Sequence, residues 1–497
     1  MKVSKGELIR EIDKYSIEKL GIPSIILMEN AALGVVKHLM LNEKEYYVVI
    51  CGRGNNGGDA LAVTRHLIAA GKKVSVFSIG LNPMSKDCGV NHDILCNMGV
   101  KITNISNVED IEFLRDSIIR SDVVVDGIFG IGLKREVRGV YDLAITVINE
   151  TSKKTISIDV PSGFSGDTGE VFGNCIKASK TITFETYKRG FLNYGSHEYT
   201  GEVVIEKIGI PDFVVDKYHN KEFFLERKFI QKKTKERALY SHKGNYGHVM
   251  VIAGSEGMTG ASTIATKAAV KSGAGLTTLI SCEDALQAVR NFVPEAMWKK
   301  NDDSQGIETL MGKVNSIAIG PGLGKSNETL NNVKRVLKNT DGTIVIDADA
   351  INVLEGKTNL LKEAKGNVII TPHPGEMARL TGMEIKKIQS DRIEIAKEFA
   401  REYGVIVVLK GYNTIITNGE VSYINPTGNG AMANGGMGDC LTGIIASLCA
   451  QGYSPMDASC IGVYAHGECG DKVSEHKFVV TATDIIDNIS KTIKELT

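Results

Sequence analysis

Two aspartates each close a β-branched run and are followed by a turn containing glycine: Asp126 in VVVDGIFG and Asp159 in SIDVPSG. Ligands of open parallel sheets bind beyond the carboxyl ends of strands, so acids at those ends are placed to move protons or to hold a cation. Ahead of them, CGRGNNGGDA (51 to 60) leaves an apolar run and opens a helical pattern. Backbone N–H groups at Gly54, Gly57 and Gly58, with the dipole of the following helix, could bind a phosphate there. Gly52, Gly54 and Gly57 formally satisfy GxGxxG, but a dinucleotide-binding unit of that kind needs an acid about 20 residues later for the ribose hydroxyls. VFSIG (76 to 80), which occupies that position, has no carboxylate. Oxygens from Asn56, Asp126 and Ser162 would make a hard-ligand site, suited to an alkali or alkaline-earth cation rather than to zinc. Taken singly, each aspartate also suits a helix cap or a turn.

A second glycine cluster lies in GNGAMANGGMGDCLTGIIASLCAQG (428 to 452), where a flexible run passes directly into an apolar helical segment. Gly435, Gly436 and Gly438 allow N–H groups at the helix head to face a phosphate, and Asp439 sits where a carboxylate could orient or deprotonate a hydroxyl. The plainer alternative makes Asp439 a capping residue. Cys440 begins the apolar segment with no evident base beside it, so it reads as core. GPGLGKS (320 to 326) looks like a P-loop but has only three residues between Gly320 and Gly324 where that motif requires four, and the NTPase reading fails. His373, between two prolines in TPHPGE, is held rigidly as a ligand contact or as a turn filler.

The elements that must carry these residues alternate along the whole chain, which predicts α/β architecture with parallel sheets covered by helices. Strands are expected at YYVVI (46 to 50), KVSVFSI (73 to 79), DVVVD (122 to 126) and TISID (155 to 159), with a helix over 60 to 70. In the second half they are expected at HVMVIAG (248 to 254), LTTLIS (276 to 281), SIAIG (316 to 320), TIVID (343 to 347), NVIIT (367 to 371) and VIVVLK (405 to 410). Asn418-Gly419 predicts a tight hairpin with a type I′ turn. ERKFIQKKTKER (226 to 237) is too charged for core and marks the boundary, giving domains 1–215 and 238–497 joined by a charged linker, 216–237.

Composition narrows the function. At about 150 residues per domain, 497 residues make two large units or about three ordinary ones. With 58 Lys+Arg against 59 Asp+Glu, no global field gathers nucleic acid or an anionic membrane. The opening residues are too charged for a signal peptide and no apolar run is long enough for a span, so a soluble, cytoplasmic protein is expected. Nine cysteines without CxxC spacing argue against a disulfide framework or a zinc ribbon.

The first half resembles the NAD(P)H-hydrate epimerases through MENAA (28 to 32), GRGNNGGDA, VDGIFGIGLKREVRG (125 to 139) and SIDVPSG; Ala60 stands where a further glycine is frequent. The resemblance implies a Rossmann-like three-layer fold. It puts the hydrated nicotinamide cofactor on Asn55, Asn56, Gly57, Gly58 and Asp59, and on Gly130, Ile131, Gly132, Leu133, Lys134, Arg135 and Glu136, with Tyr141 and Asp159. It also implies a potassium ion held by Asn56, Asp126 and Ser162. Asp159 is the candidate acid/base near C6 of the hydrate.

The second half is similar to the ADP-dependent NAD(P)H-hydrate dehydratases, a ribokinase-like α/β group. The similarity runs through SHKGNYGHVMVIAGS (241 to 255), TGASTIATKAAVKSGAG (259 to 275), GPGLG, DADAIN (347 to 352), TPHPGE, KGYNT (410 to 414) and NGGMGD. It implies that Gly322, His373 and Asp439 contact the hydrate, and that Lys410, Gly411, Tyr412, Asn413, Thr414 and Gly438 bind the nucleotide. Asp439 is the second catalytic candidate. Mg2+ is expected from nucleotide chemistry in general. Together the halves imply repair of hydrated NADH and NADPH: epimerisation of R and S forms, then dehydration of the S form with ADP as phosphoryl donor. The expected partners are these small molecules, with no nucleic acid or membrane, in a homo-oligomer. A small-molecule kinase with a non-catalytic N-terminal binding module is the alternative.

Overall fold

The computed structural model describes residues 1–39 and 45–497, and the chain divides into two compact units, Met1–Asn220 and Lys221–Thr497. The strands of the first are β1 (Val3–Ser4), β2 (Tyr46–Cys51), β3 (Lys73–Ile79), β4 (Ile102–Ile105), β5 (Val123–Gly127), β6 (Thr155–Ile158), β7 (Lys180–Phe184), β8 (Tyr187–Lys188) and β9 (Glu202–Glu206). Seven of them form one sheet in the order β4-β3-β2-β5-β6-β7-β9, with every neighbouring pair parallel. Side chains alternate across such a sheet. Tyr47, Val49 and Cys51 accordingly enter one apolar cluster, and Val48 and Ile50 the other. Helices therefore cover both faces, which is the expected three-layer Rossmann-like arrangement, and the strand order reverses between β2 and β5, the kind of switch point at which ligands of open α/β sheets bind.

A separate pairing, Val3↔Tyr187 and Ser4↔Lys188, ties β1 to β8. It fixes the start of the helix Gly6–Glu18.

The second unit holds β10 (Glu222–Phe224), β11 (His248–Ile252), β12 (Leu276–Ser281), β13 (Met297–Lys300), β14 (Ser316–Ile319), β15 (Thr343–Ile346), β16 (Val368–Ile370), β17 (Ile406–Leu409), β18 (Ile415–Thr417) and β19 (Ser422–Ile424). Its sheet runs β10-β19-β18-β17-β16-β15-β14-β11-β12-β13, parallel except for the two pairings of β18. The helix Met437–Ala450 is buried at every position from Cys440 onward. Gly443 lets it lie close against a neighbouring helix, since a Cβ there would fall 2.2 Å from the Ala265 carbonyl oxygen. This central packing fixes the position of the helix head.

Three expectations change. Residues 216–237 are not a bare linker: Asp212–Tyr218 is a helix of the first unit, β10 extends the second sheet, and Arg227–Lys233 is a helix that buries Ile230. Charge on the exposed side of an amphipathic helix had suggested a tether. The hairpin of β18 and β19 exists, but Gly419 alone has positive φ (+91°). The Asn418 side chain accepts from the N–H groups of Glu420 and Val421, so the connection is an Asx turn and not type I′. The helix expected over 60 to 70 begins at Asn55. All nine cysteines are free and seven are buried. Among the described residues, no helix is long and apolar enough to cross a membrane.

Candidate active sites

In the first unit, β2 leads into the helix Asn55–Ala69, so Asn55 to Asp59 form its first turn instead of a loop before it. Its N-cap, Gly54, supplies no side-chain cap, which leaves the first N–H groups open to a ligand. The Gly58 N–H is not among them, being bonded to the Gly54 carbonyl at 3.1 Å. The glycines serve close approach: a Cβ on Gly57 would lie 2.0 Å from the Gly52 oxygen, and one on Gly52 would lie 2.0 Å from the Ile128 oxygen.

Asn56, Asp126 and Ser162 converge. Asp126 is fully buried at the end of β5, where its carboxylate accepts from Ser162 Oγ (2.5 Å), Ser162 N (2.9 Å), Ser157 Oγ (2.8 Å) and Ile128 N (3.2 Å). Burial nevertheless pushes its pKa up against those bonds. The Phe129 carbonyl accepts from Asn56 Nδ2 (2.9 Å) and from Ser162 Oγ (3.3 Å). An amide, a hydroxyl, a carbonyl and a buried carboxylate thus meet in one hub, whose Asp126, Ser162 and Phe129 oxygens are of the kind a hard monovalent cation suits, while the Asn56 amide turns its nitrogen to the Phe129 carbonyl.

The 130 to 136 segment divides. Gly130 lies against Asn56, 3.3 Å from a built Cβ, and the Ile131 carbonyl accepts from Arg10. Leu133 packs against the core cluster of the Tyr141 face. Glu136 pairs with Arg138 at the surface. The Tyr141 ring packs on Phe129 with centroids 4.9 Å apart, and a Cβ at Gly80 would strike its hydroxyl.

Asp159 follows β6 in the left-handed region (φ +61°), a strained angle for a non-glycine residue. Its Oδ1 is 2.9 Å from Lys188 Nζ and accepts from Thr183 Oγ1 at 3.1 Å. Asp13, from the first helix, is pushed up to about 6 by burial, opposed by Lys188 and reinforced by Asp159 and Glu185. Asp59 is raised well above the ordinary range by burial and then by Asp159, Asp13 and Asp87. Sequence reading missed Asp13 and Lys188. Neither stands in a glycine motif, and only the β1–β8 pairing brings the two segments together.

In the second unit, Gly436 caps Met437–Ala450 in a left-handed conformation. A Cβ on Gly438 would lie 3.2 Å from Lys410 Nζ and 3.6 Å from Asp347 Oδ2. Lys410 Nζ is 2.6 Å from Asp347 Oδ1 and 3.9 Å from Glu376 Oε2, and Thr442 Oγ1 donates to Asp347 at 2.8 Å. The lysine holds Asp347 low despite its burial. Burial, then Asp347, lifts Asp439 to about 6, and burial lifts Glu376 to about 7. A base, a cation and helix N–H groups therefore face one corner, an arrangement able to transfer a phosphoryl group to a hydroxyl.

The His373 ring also caps the helix Pro374–Thr381: Nδ1 accepts from Gly375 N at 3.0 Å, and Glu376 returns a bond from the His373 N–H. Its side chain is 51% exposed with Nε2 3.5 Å from Glu376 Oε1, and burial followed by the Lys410 charge lowers its pKa. Gly322 (φ +64°) is anchored through its carbonyl to Ser255 Oγ, and the Gly324 N–H donates to Asp349. In the 410 to 414 loop, Gly411 and Asn413 have positive φ, Tyr412 is exposed, and Thr414 Oγ1 donates to the Gly411 carbonyl. Cys440 is buried, with its thiol pushed far up, in keeping with a core role. Asp347 and Glu376 lay inside quoted motifs without being singled out. Among the described residues, no group of three or more His, Cys, Asp or Glu is arranged to hold a metal ion.

Residues 24–190 match the family model for the YjeF-related protein N-terminus, and residues 249–491 match that for NAD(P)H-hydrate dehydratase. The bifunctional NAD(P)H-hydrate repair enzyme Nnr of Moorella thermoacetica is 37% identical, covering 98% of this chain and 95% of its own. Its Escherichia coli counterpart is 30% identical, over 98% of this chain and 92% of its own. Among solved structures, the Bacillus subtilis ADP/ATP-dependent NAD(P)H-hydrate dehydratase co-crystallised with ATP/Mg2+ is 32% identical. It superposes with a TM-score of 0.50, covering 55% of this chain and 99% of that one.

Proposed function

The chain belongs to the bifunctional NAD(P)H-hydrate repair enzymes, and from that membership we propose how its residues divide the work. The first unit interconverts the R and S hydrates of NADH and NADPH at C6. The second dehydrates the S form at the expense of ADP, releasing AMP and phosphate. The observation that carries the reading is the corner formed by Asp439, Lys410 and the head of Met437–Ala450, in a chain that matches a bifunctional relative over 98% of its length.

Hydroxide is a poor leaving group. Asp439 takes the C6 hydroxyl proton as that oxygen attacks the terminal phosphorus of ADP, and AMP departs. Lys410 and the N–H groups of Met437, Gly438 and Asp439 stabilise the phosphoryl oxygens. The nicotinamide nitrogen lone pair then expels phosphate, and loss of a C5 proton restores the dihydropyridine. His373 and Gly322 orient the hydrate. Asp347 or Glu376, together with the phosphates of the nucleotide, would hold Mg2+, which would shield phosphate charge there.

In the first unit Asp159 exchanges protons at the C6 centre while Lys188 orients its carboxylate. The oxygen set of Asn56, Asp126, Ser162 and the Phe129 carbonyl suits potassium, which would supply the positive charge that Asp126 lacks. Within this reading the enzyme is cytoplasmic and homo-oligomeric, with small molecules as its partners.

One assay tests it. Purified protein receives mixed hydrate epimers, K+, Mg2+ and ADP, and the return of reduced-nicotinamide absorbance is followed. Complete conversion with one AMP per turnover is expected. A stable phosphorylated product would favour a small-molecule kinase, and conversion of the S form alone would mean an inactive first unit.

A further inference from the structure

The loop carrying Lys410 has a second support that the proposed reaction does not use. Arg392, the first residue of the helix Arg392–Tyr403, is only 4% exposed. Its guanidinium donates to the carbonyls of Leu409 (3.1 Å), Lys410 (3.1 Å) and Tyr412. Among the described residues no carboxylate pairs with it, and burial, the one cause acting on it, brings it down to about 10, so it stays charged at neutral pH. A buried cation without a counter-ion is costly. Three carbonyl dipoles offset part of that cost and leave net positive charge directly behind the loop.

All peptide bonds here are trans, so the Lys410 carbonyl and the Gly411 N–H point in opposite directions. Anchoring that carbonyl on Arg392 turns the Gly411 N–H away from it, and Gly411 takes φ +135°, which a side chain would resist. The same grip fixes the backbone of Lys410, whose ammonium reaches Asp347 and the Gly438 turn. The missing negative charge is what a bound polyphosphate supplies.

We propose that Arg392 is the positioning residue of the nucleotide loop, holding residues 409 to 412 in shape and adding buried positive charge behind the phosphates of ADP. The inference rests on the reading of residues 410 to 414 as the nucleotide loop.

The test compares the full-length wild type with Arg392→Lys, which keeps the charge, and Arg392→Gln, which removes it. KM is measured for ADP and for the S hydrate, with R-to-S epimerisation as an internal reference and thermal melting as a check on folding. For Arg392→Gln the KM for ADP is expected to rise at least tenfold, with the KM for the hydrate within twofold and epimerisation unchanged; Arg392→Lys recovers part of the loss. A KM for ADP within twofold of wild type in Arg392→Gln overturns the proposal. Equal weakening toward both substrates alongside a lower Tm also overturns it, as the mark of a merely structural role. Should Arg392→Gln not fold, Arg392→Lys decides: a threefold or greater rise in KM for ADP supports the proposal, and no rise overturns it. A wild type that binds no ADP at all would instead remove the reading of the loop itself.

Discussion

Lys188 Nζ lies 2.9 Å from Asp159 Oδ1 while only 1% of the lysine side chain meets solvent. Asp13 feels both members of the pair, and Asp59 feels Asp159 and Asp13. Breaking that pair would leave a charge uncompensated where little water reaches it.

Replacing Asp159 with alanine is expected to reduce R-to-S conversion by about 10²- to 10⁴-fold, the usual weight of a positioned acid or base. Lys188→Met should slow it at least tenfold and, by stranding a buried carboxylate, cost about 3 kcal/mol of stability. Dehydration of the pure S form should be intact in both. Epimerisation at the wild-type rate in Asp159→Ala would remove that residue from the mechanism.

The dehydratase half carries a pH signature. Asp439, raised to about 6 by burial and by Asp347, accepts a proton only when ionised. The rate of ADP-dependent dehydration at low substrate should therefore fall with unit slope as pH drops below about 6. A profile level down to pH 5 would contradict its role as base.

The same carboxyl makes a prediction about stability. Its folded value of about 6 lies above the ordinary 3.8, so the folded chain binds this proton more tightly than the unfolded chain does. Stability is lost as pH rises from about 4 to 6, and the full cost stands above that window. Asp439→Asn removes it. The inactive variant should melt higher at pH 7.5 by an amount equivalent to about 1–3 kcal/mol, with the gain vanishing near pH 4. Equal gains at both pH values would point to some other cause.

Asp126→Asn keeps the shape of the buried hub and deletes its anionic oxygen. The potassium concentration giving half-maximal epimerisation should rise by about tenfold or more, read by titrating KCl at constant ionic strength with NaCl. An unchanged response would take Asp126 out of the cation site.

Much of this was legible before the fold was known. LTTLIS and KVSVFSI mark their strands residue for residue, because short runs rich in β-branched and apolar residues between turn signals favour a strand. Asn56, Asp126 and Ser162 meet as expected, since Asn56 follows β2, Asp126 lies near the end of β5 and Ser162 follows β6, three neighbouring strands of the sheet. Sequence reading failed where position depends on partners distant in the chain. Lys188 needs β1, Arg392 needs the far side of a loop, and His373 is a helix cap because Glu376 returns a bond to it. None of these leaves a periodic trace. Gly57 and Gly58 looked like loop residues because glycine disfavours helices, yet they sit inside one, where close packing leaves no room for a Cβ.

The left-handed backbone at Asp159 and its ion pair with Lys188 pull against each other. A single exchange to glycine would relax the main chain but leave the ammonium without its carboxylate in a place that solvent barely reaches. A lineage that lost this carboxyl group would therefore show both a lower melting temperature and an R-form hydrate that is no longer cleared.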